Sequence, residues 1–211
     1  MSRRKYETYE YIDPDNCYTY EGASVLRNKL DIKDGDELQA KEYQVAANKL
    51  VELGFAPIEV YSMKDILAIH RFIFGEIYEW AGKYRMVNIS KEGYAFMSLQ
   101  SFDAGEKYIN SLLRKYYDTA ETKTEIAEQL AGILDNLNHM HPFREGNGRT
   151  QREVIRALAL AKGYYADINV ATDDDIYHLY MDGTVEGNEL ILTKLFLEIL
   201  EKTEDEILFE A

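Results

Sequence analysis

Cysteine occurs once in this 211-residue chain, at Cys17, so no internal disulfide can form and a reducing compartment fits. Proline is almost as scarce, at Pro14, Pro57 and Pro142, and helical spacing dominates. No stretch approaches the ~18 apolar residues of a membrane-spanning helix. The opening MSRRKYETYEYIDPDN starts basic but lacks the apolar core of a secretory leader. No internal repeat or low-complexity linker is found. Basic residues are in deficit, 24 Lys and Arg against 38 Asp and Glu, which leaves a net charge of −14. That argues against general nucleic-acid binding, because neutralising backbone phosphates needs the opposite excess. The expectation is one cytoplasmic domain with a real core and no membrane segment.

What is present is mostly helical period. The first segment, to about Leu30, is Tyr-rich and irregular. From Gly35 to Leu53 a stripe of Ala40, Ala46, Ala47, Leu50 and Val51 predicts a helix ended by Gly54. Ser62 with Asp65 three residues on reads as a capping box for a helix carrying Ile66, Ile69, Phe72, Ile73 and Ile77. Lys83 to Ser98 is rich in β-branched and aromatic residues around a Lys-Glu-Gly turn, which predicts a short hairpin. Further helices are expected at 102–117, at 124–140 with Ile126, Leu130, Ile133, Leu134, Leu137 and Met140 on one face, and at 149–162 before Gly163. Asp173 to Tyr180, capped by its three aspartates, and Asn188 to Glu201 close the chain. Trp80 is assigned to the core.

Chemistry concentrates in HPFREGNGRTQR, His141 to Arg152. Pro142 disfavours the α conformation just before it, so the preceding helix should break at His141 and leave the imidazole at a loop mouth. Histidine is the usual proton acceptor for a hydroxyl nucleophile, although one at a helix end is often only a capping group. Phe143, apolar among polar neighbours, is expected to turn inward. Gly146, Asn147 and Gly148 permit positive φ and an anion nest, to which the next helix adds its N-terminus. Arg149 and Arg152, three apart, would face the same anion, within a basic patch that includes Arg144 and Arg156. Glu145 beside phosphate suggests a bridging Mg²⁺. The set implies phosphoryl or nucleotidyl transfer, and no Walker A lysine follows the glycines. His139 and His141 are spaced like a metal pair without an evident third ligand, so zinc is not expected.

The stretch resembles the active-site motif of the Fic family, His-Pro-Phe-x-Asp/Glu-Gly-Asn-Gly-Arg-x-x-Arg, and agrees at every defined position. IYEWAGKYRMVNIS is similar to the family's approach to its flap, and YTYEGASVLRNKL to the N-terminal segment of cell-filamentation-type members, so the likeness spans roughly 18–200. The resemblance implies an all-α helical bundle with a small β-hairpin flap over the site. Residues 1–35 would form the Tyr-rich segment, 36–201 the Fic domain and 202–211 an acidic tail. It implies transfer of AMP from ATP to a Ser, Thr or Tyr hydroxyl of a target protein. His141 would be the base, and Glu145 would hold Mg²⁺. Gly146, Asn147, Gly148, Arg149 and Arg152 would bind the phosphates. The flap, Val87, Asn88, Ile89, Ser90 and Lys91, would dock the target by strand addition. The related Doc toxins carry Lys in place of Gly148 and transfer phosphate, so Gly148 implies nucleotidyl transfer.

Many members are restrained by a glutamate in Ser/Thr-x-x-x-Glu-Gly/Asn. Glu21-Gly22 and Glu186-Gly187 approximate it, but Cys17 and Asp182 stand where Ser or Thr belongs. A separate small antitoxin supplying that glutamate is the favoured expectation. The alternatives carried are a Fic-fold phosphotransferase, phosphocholine transferase or deAMPylase, and a non-catalytic nucleotide-binding module. Among the 17 tyrosines, Tyr6, Tyr9, Tyr11, Tyr18 and Tyr20 are candidate self-acceptors or packing residues. With no delivery domain evident, a toxin acting on its own host is favoured over a secreted effector.

Overall fold

The computed structural model describes residues 9–12, 17–91, 94–170 and 172–203. Tyr6, Pro14 and the tail from 204 onward lie outside these residues. In chain order the elements are β1 (Tyr9–Ile12), α1 (Gly35–Phe55), α2 (Met63–Phe74), β2 (Asn88–Lys91), β3 (Tyr94–Ala95), α3 (Phe102–Thr119), α4 (Lys123–Met140), α5 (Asn147–Leu160), β4 (Tyr164–Ala166), α6 (Asp174–Glu186), α7 (Glu189–Ile199) and β5 (Leu200–Lys202). A 3-10 turn, Leu99–Ser101, leads into α3.

The bundle is organised around α4, which packs on α3, α5, α6 and α7. All six apolar residues expected on its inner face are buried. Each such side chain contributes about 1.5–3 kcal/mol on burial, so this helix is held in register to its last turn. Its start is fixed by Thr122 and Glu125, whose side chains exchange hydrogen bonds with the backbone N–H groups of each other. At α2 the Asp65 carboxylate accepts the N–H groups of Tyr61 and Ser62, as the capping box required. Asp173 and Asn188 cap α6 and α7.

Three helix ends differ from expectation. Helix α6 runs on to Glu186, past the expected Tyr180. Helix α1 runs through Gly54 to Phe55, because Gly54 keeps helical backbone and Pro57 ends the run instead. Helix α7 stops at Ile199, because Leu200–Lys202 leave it to pair with β4, Tyr164 opposite Lys202. That pairing carries ordered structure past the expected boundary at 201.

The face of α1 also differs. Its buried residues are Leu38, Glu42, Ala46 and Leu53, whereas Ala40, Ala47 and Val51 are exposed. A buried carboxylate, not an alanine stripe, defines the inner side.

The hairpin is present as β2 and β3, and it gains a third strand. Strand β1 pairs antiparallel with the other edge of β2, Tyr9 opposite Lys91 and Ile12 opposite Asn88. The N-terminal segment is part of this structure. Tyr18 is buried with Val87 and Ile89 beneath the sheet, and its hydroxyl accepts the Met86 N–H at 2.9 Å. Tyr18 is therefore a packing residue, and Tyr20 is half-buried.

Candidate active site

Helix α4 ends on His141, whose φ of 46° and ψ of 61° are left-handed, a conformation a non-glycine residue adopts only under constraint. Pro142 supplies part of that constraint by excluding the right-handed helix at His141. Arg85 supplies the rest. Its Nε donates to the His141 carbonyl at 2.8 Å, and its other nitrogens donate to the carbonyls of Val87, Met97 and Met140. Arg85 is 2% exposed, and burial lowers its pKa to about 10, so it is still a cation at neutral pH. One side chain thus ties both ends of the flap to the end of α4.

The His141 ring is 5% exposed. Its Nδ1 lies 3.3 Å from the Asn138 carbonyl, which can only accept, so Nδ1 carries the proton and Nε2 the lone pair. Phe96, at the end of the flap, stacks on this ring with centroids 3.8 Å apart. The expected break at His141 is borne out.

The loop that follows is braced from below. Phe143 turns inward as expected and stacks on His70 at 3.7 Å. His70 Nδ1 accepts the Gly82 N–H at 2.8 Å, so its Nε2–H donates to the Glu145 carbonyl at 3.0 Å. Burial lowers the His70 pKa to about 4, with a smaller contribution from the Arg149 charge, and keeps the ring neutral.

The glycine triplet differs from the expected nest in two ways. Only Gly146 has positive φ, 81°, and a Cβ there would overlap the Phe74 ring. Asn147 turns its side chain inward, accepting the Phe143 N–H at 2.9 Å and donating to the Phe143 carbonyl at 2.8 Å. It staples the loop rather than reaching toward a ligand. Gly148 belongs to the first turn of α5, where its missing side chain leaves room for Arg152 Nη1 and the Tyr180 hydroxyl. The first intrahelical bond is Thr150 N–H to Gly146 carbonyl, so the N–H groups of Asn147, Gly148 and Arg149 precede it at the positive end of α5.

The two arginines part company. Arg149 turns toward α1 and α2, where its Nη2 donates to Glu42 and its guanidinium lies 4.7 Å from the Phe74 ring centroid. Arg152 turns toward α6, 5.7 Å from the Tyr180 ring, and has no carboxylate partner among the described residues. Arg156 leaves the expected basic patch altogether: it forms a bidentate pair with Glu153 and donates to the Leu53 carbonyl. Arg144 is buried, 5.8 Å from the Tyr18 ring.

Glu145 is the one motif carboxylate at the helix mouth. Its Oε1 accepts the Gly146 N–H at 2.9 Å and lies 3.7 Å from Arg149 Nη2. No group of three or more His, Cys, Asp or Glu among the described residues could hold a metal by itself. One carboxylate next to a phosphate site fits Mg²⁺, which keeps waters and takes ligands from substrate phosphates.

The expected regulatory glutamates lie elsewhere. Glu21 sits in an exposed turn and Glu186 is exposed at the end of α6. Neither pairs with Arg149 or Arg152 among the described residues. Besides Glu145, the carboxylate that does is Glu42, on Arg149, which sequence reasoning passed over together with Tyr78, His70, Arg85 and Phe96.

Residues 60–159 match the Fic/DOC family. The probable protein adenylyltransferase y4lH of Sinorhizobium fredii is 30% identical over 161 residues, covering 75% of this chain and 82% of that protein. The chain belongs to the Fic/DOC family. Protein adenylyltransferase VbhT of Bartonella schoenbuchensis is 36% identical over 160 residues, but the chain spans only 34% of its length. Among solved structures, the Bartonella tribocorum effector BepC with bound AMPPNP superposes with a TM-score of 0.79 at 25% identity, covering 89% of this chain and 97% of that one. The Fic fold is thus the helical bundle with flap described above.

Membership also sharpens the reading of the flap. Both edges of β2 are already paired, by β1 and β3, and Val87 and Ile89 are buried beneath it. Asn88 is exposed, its Oδ1 accepting the Leu99 N–H at 3.2 Å, and Ser90 is half-buried. The Fic flap of this chain is the middle of a sheet rather than a free edge.

Proposed function

We propose that this chain is a protein adenylyltransferase, moving AMP from ATP to a side-chain hydroxyl of a target protein. The enzyme class, nucleotidyltransferase, is that of its relatives at 30–36% identity. The observation that carries the reading is His141, held left-handed with Nδ1 committed to a carbonyl and Nε2 left as the base, one short loop from the N-terminus of α5. The target hydroxyl gives its proton to Nε2 as its oxygen attacks the α-phosphorus. The bond to the β-phosphate breaks, and pyrophosphate leaves with the electron pair. The first-turn N–H groups of α5 and the Arg152 guanidinium stabilise the charge on the departing phosphates. Glu145 would hold Mg²⁺, which when bound neutralises phosphate charge.

Docking of the target as a strand on Val87–Lys91 requires β1 to give way, or pairing at the outer edge of β3. Arg152 has no carboxylate partner among the described residues, Glu21 and Glu186 included, which supports an inhibitory glutamate supplied by a separate small partner. It leaves a toxin acting on its host as the favoured role. The BepC likeness supports the alternative, an effector acting in another cell. No helix among the described residues is long and apolar enough to cross a membrane.

The test is incubation with Mg²⁺, lysate and ATP labelled at the α- or γ-phosphate, with His141→Ala alongside. Label from the α position on a protein, lost in the variant, is expected. Label from the γ position alone would make the chain a phosphotransferase, and full activity in His141→Ala would remove the base assigned here.

A further inference from the structure

Outside the motif, a carboxylate is also committed to the site: Glu42 on α1, which is 8% exposed. One of its oxygens accepts from Arg149 Nη2 and the other from the Tyr78 hydroxyl. The Tyr78 ring is itself fixed, stacked on Trp80 with centroids 4.3 Å apart. Burial, reinforced by the neighbouring carboxylate, pushes the Tyr78 hydroxyl pKa up, so it remains a donor. Arg149 is therefore gripped by Glu42 and Phe74, with Glu145 at 3.7 Å, before any nucleotide arrives.

We propose that Glu42 is a positioning residue, fixing the Arg149 guanidinium for the transfer step while weakening that arginine's pull on the nucleotide. The inference rests on the adenylyltransferase reading above. Its physical basis is a division of effects. A carboxylate on a guanidinium cancels much of its field at a phosphate a few ångströms away, so ATP binds less tightly than a bare cation would allow. The same contact leaves Arg149 one orientation, and an aligned α-phosphorus is what raises turnover. A merely structural ion pair would predict weaker ATP binding when broken, because the site would loosen. A blocking, inhibitory pair would predict faster turnover.

Glu42→Gln separates these, since it keeps the shape and an acceptor for Tyr78 and removes only the charge. ATP affinity is measured by calorimetry on the full chain with Mg²⁺, together with KM and kcat for α-label transfer and melting with and without ATP. In the variant, Kd and KM for ATP are expected to fall roughly three- to tenfold. The kcat is expected to drop about tenfold. The variant should melt earlier alone yet gain more from ATP than the wild type does, because the nucleotide supplies the missing counter-charge. In an Arg149→Gln background, Glu42→Gln should leave ATP affinity where it was.

An unchanged or weaker ATP affinity, a higher kcat, or the same effect without Arg149 would each overturn the proposal. If Glu42→Gln does not fold, Tyr78→Phe removes one anchor of the carboxylate but keeps its charge, and should lower kcat by less with KM for ATP close to wild type. An unchanged or higher kcat there would overturn the proposal. A wild type that binds ATP but labels no protein would sink the adenylyltransferase reading instead. The affinity and melting arms would still decide on Glu42.

Discussion

Acidification should destabilise this fold through His70, by an amount the structure allows to be worked out. The ring is fully buried, accepts from Gly82 N–H and donates to the Glu145 carbonyl, which only the neutral form can do at once. Unfolded, it titrates near 6.5, and folded its pKa is about 4. The folded state binds fewer protons between those values, so stability is complete above pH 6.5 and is lost as pH falls toward 4. The loss is about 2 kcal/mol at pH 5 and roughly 3 kcal/mol at pH 4. For a chain of this size 2 kcal/mol corresponds to a melting point lower by about 4–8 °C. Other groups also titrate here, so the measurement is a difference. Denaturant unfolding of the wild type and His70→Gln at pH 8 and pH 5, in chelator, isolates the histidine. The variant should be less stable at pH 8 but lose about 2 kcal/mol less on acidification. Equal losses in both proteins, or a His70 ring that titrates near 6.5 by NMR in the folded chain, would refute the reasoning.

Two further outcomes follow from the site geometry. Arg85→Met keeps the packed stem but orphans the carbonyls of His141, Val87, Met97 and Met140. It should cost about 3 kcal/mol, seen as a melting point lower by roughly 6–12 °C, with α-label transfer falling at least about tenfold as His141 loses its clamp. Gly146→Ala, with a Cβ overlapping Phe74 at positive φ, should destabilise by about 2 kcal/mol or more. Gly148→Ala, meeting the end of the long Arg152 side chain at 3.3 Å and the Tyr180 hydroxyl at 3.6 Å, should melt close to wild type while altering ATP affinity. Equal melting points for the two alanine variants would show that only their place in the loop, not the Phe74 contact, matters.

The residues that were legible in the sequence are those whose role follows from their own type and spacing. Six apolar side chains at helical period on α4 point one way whatever they pack against, and all six are buried. Pro142 acts on its immediate neighbour, so the break at His141 could be placed without knowing the fold. Strands β1 and β5 were not legible. Each is only three or four residues long, and β1 pairs with a strand about eighty positions away, so no local period announces it. The separate partners of Arg149 and Arg152 were not legible for a related reason. Helical spacing starts both from one side of α5, and what each guanidinium then reaches, Glu42 or Tyr180, is set by other elements.

The misread face of α1 is the most informative of these failures. An apolar count chose Ala40, Ala46, Ala47, Leu50 and Val51, because alanine and valine resemble core residues and glutamate does not. Of these only Ala46 is fully buried. The helix instead buries Leu38, Glu42, Ala46 and Leu53, one consistent face at i, i+4, i+8 and i+15. Burying Glu42 without a partner would be strongly unfavourable, so the face is tenable only because Arg149 and Tyr78 meet it there. Pattern reasoning assumes that each element chooses its inner side by hydrophobicity alone. Where a helix turns a carboxylate inward instead, the carboxylate's partner says what that side is for, and on α1 the partner is an arginine of the motif.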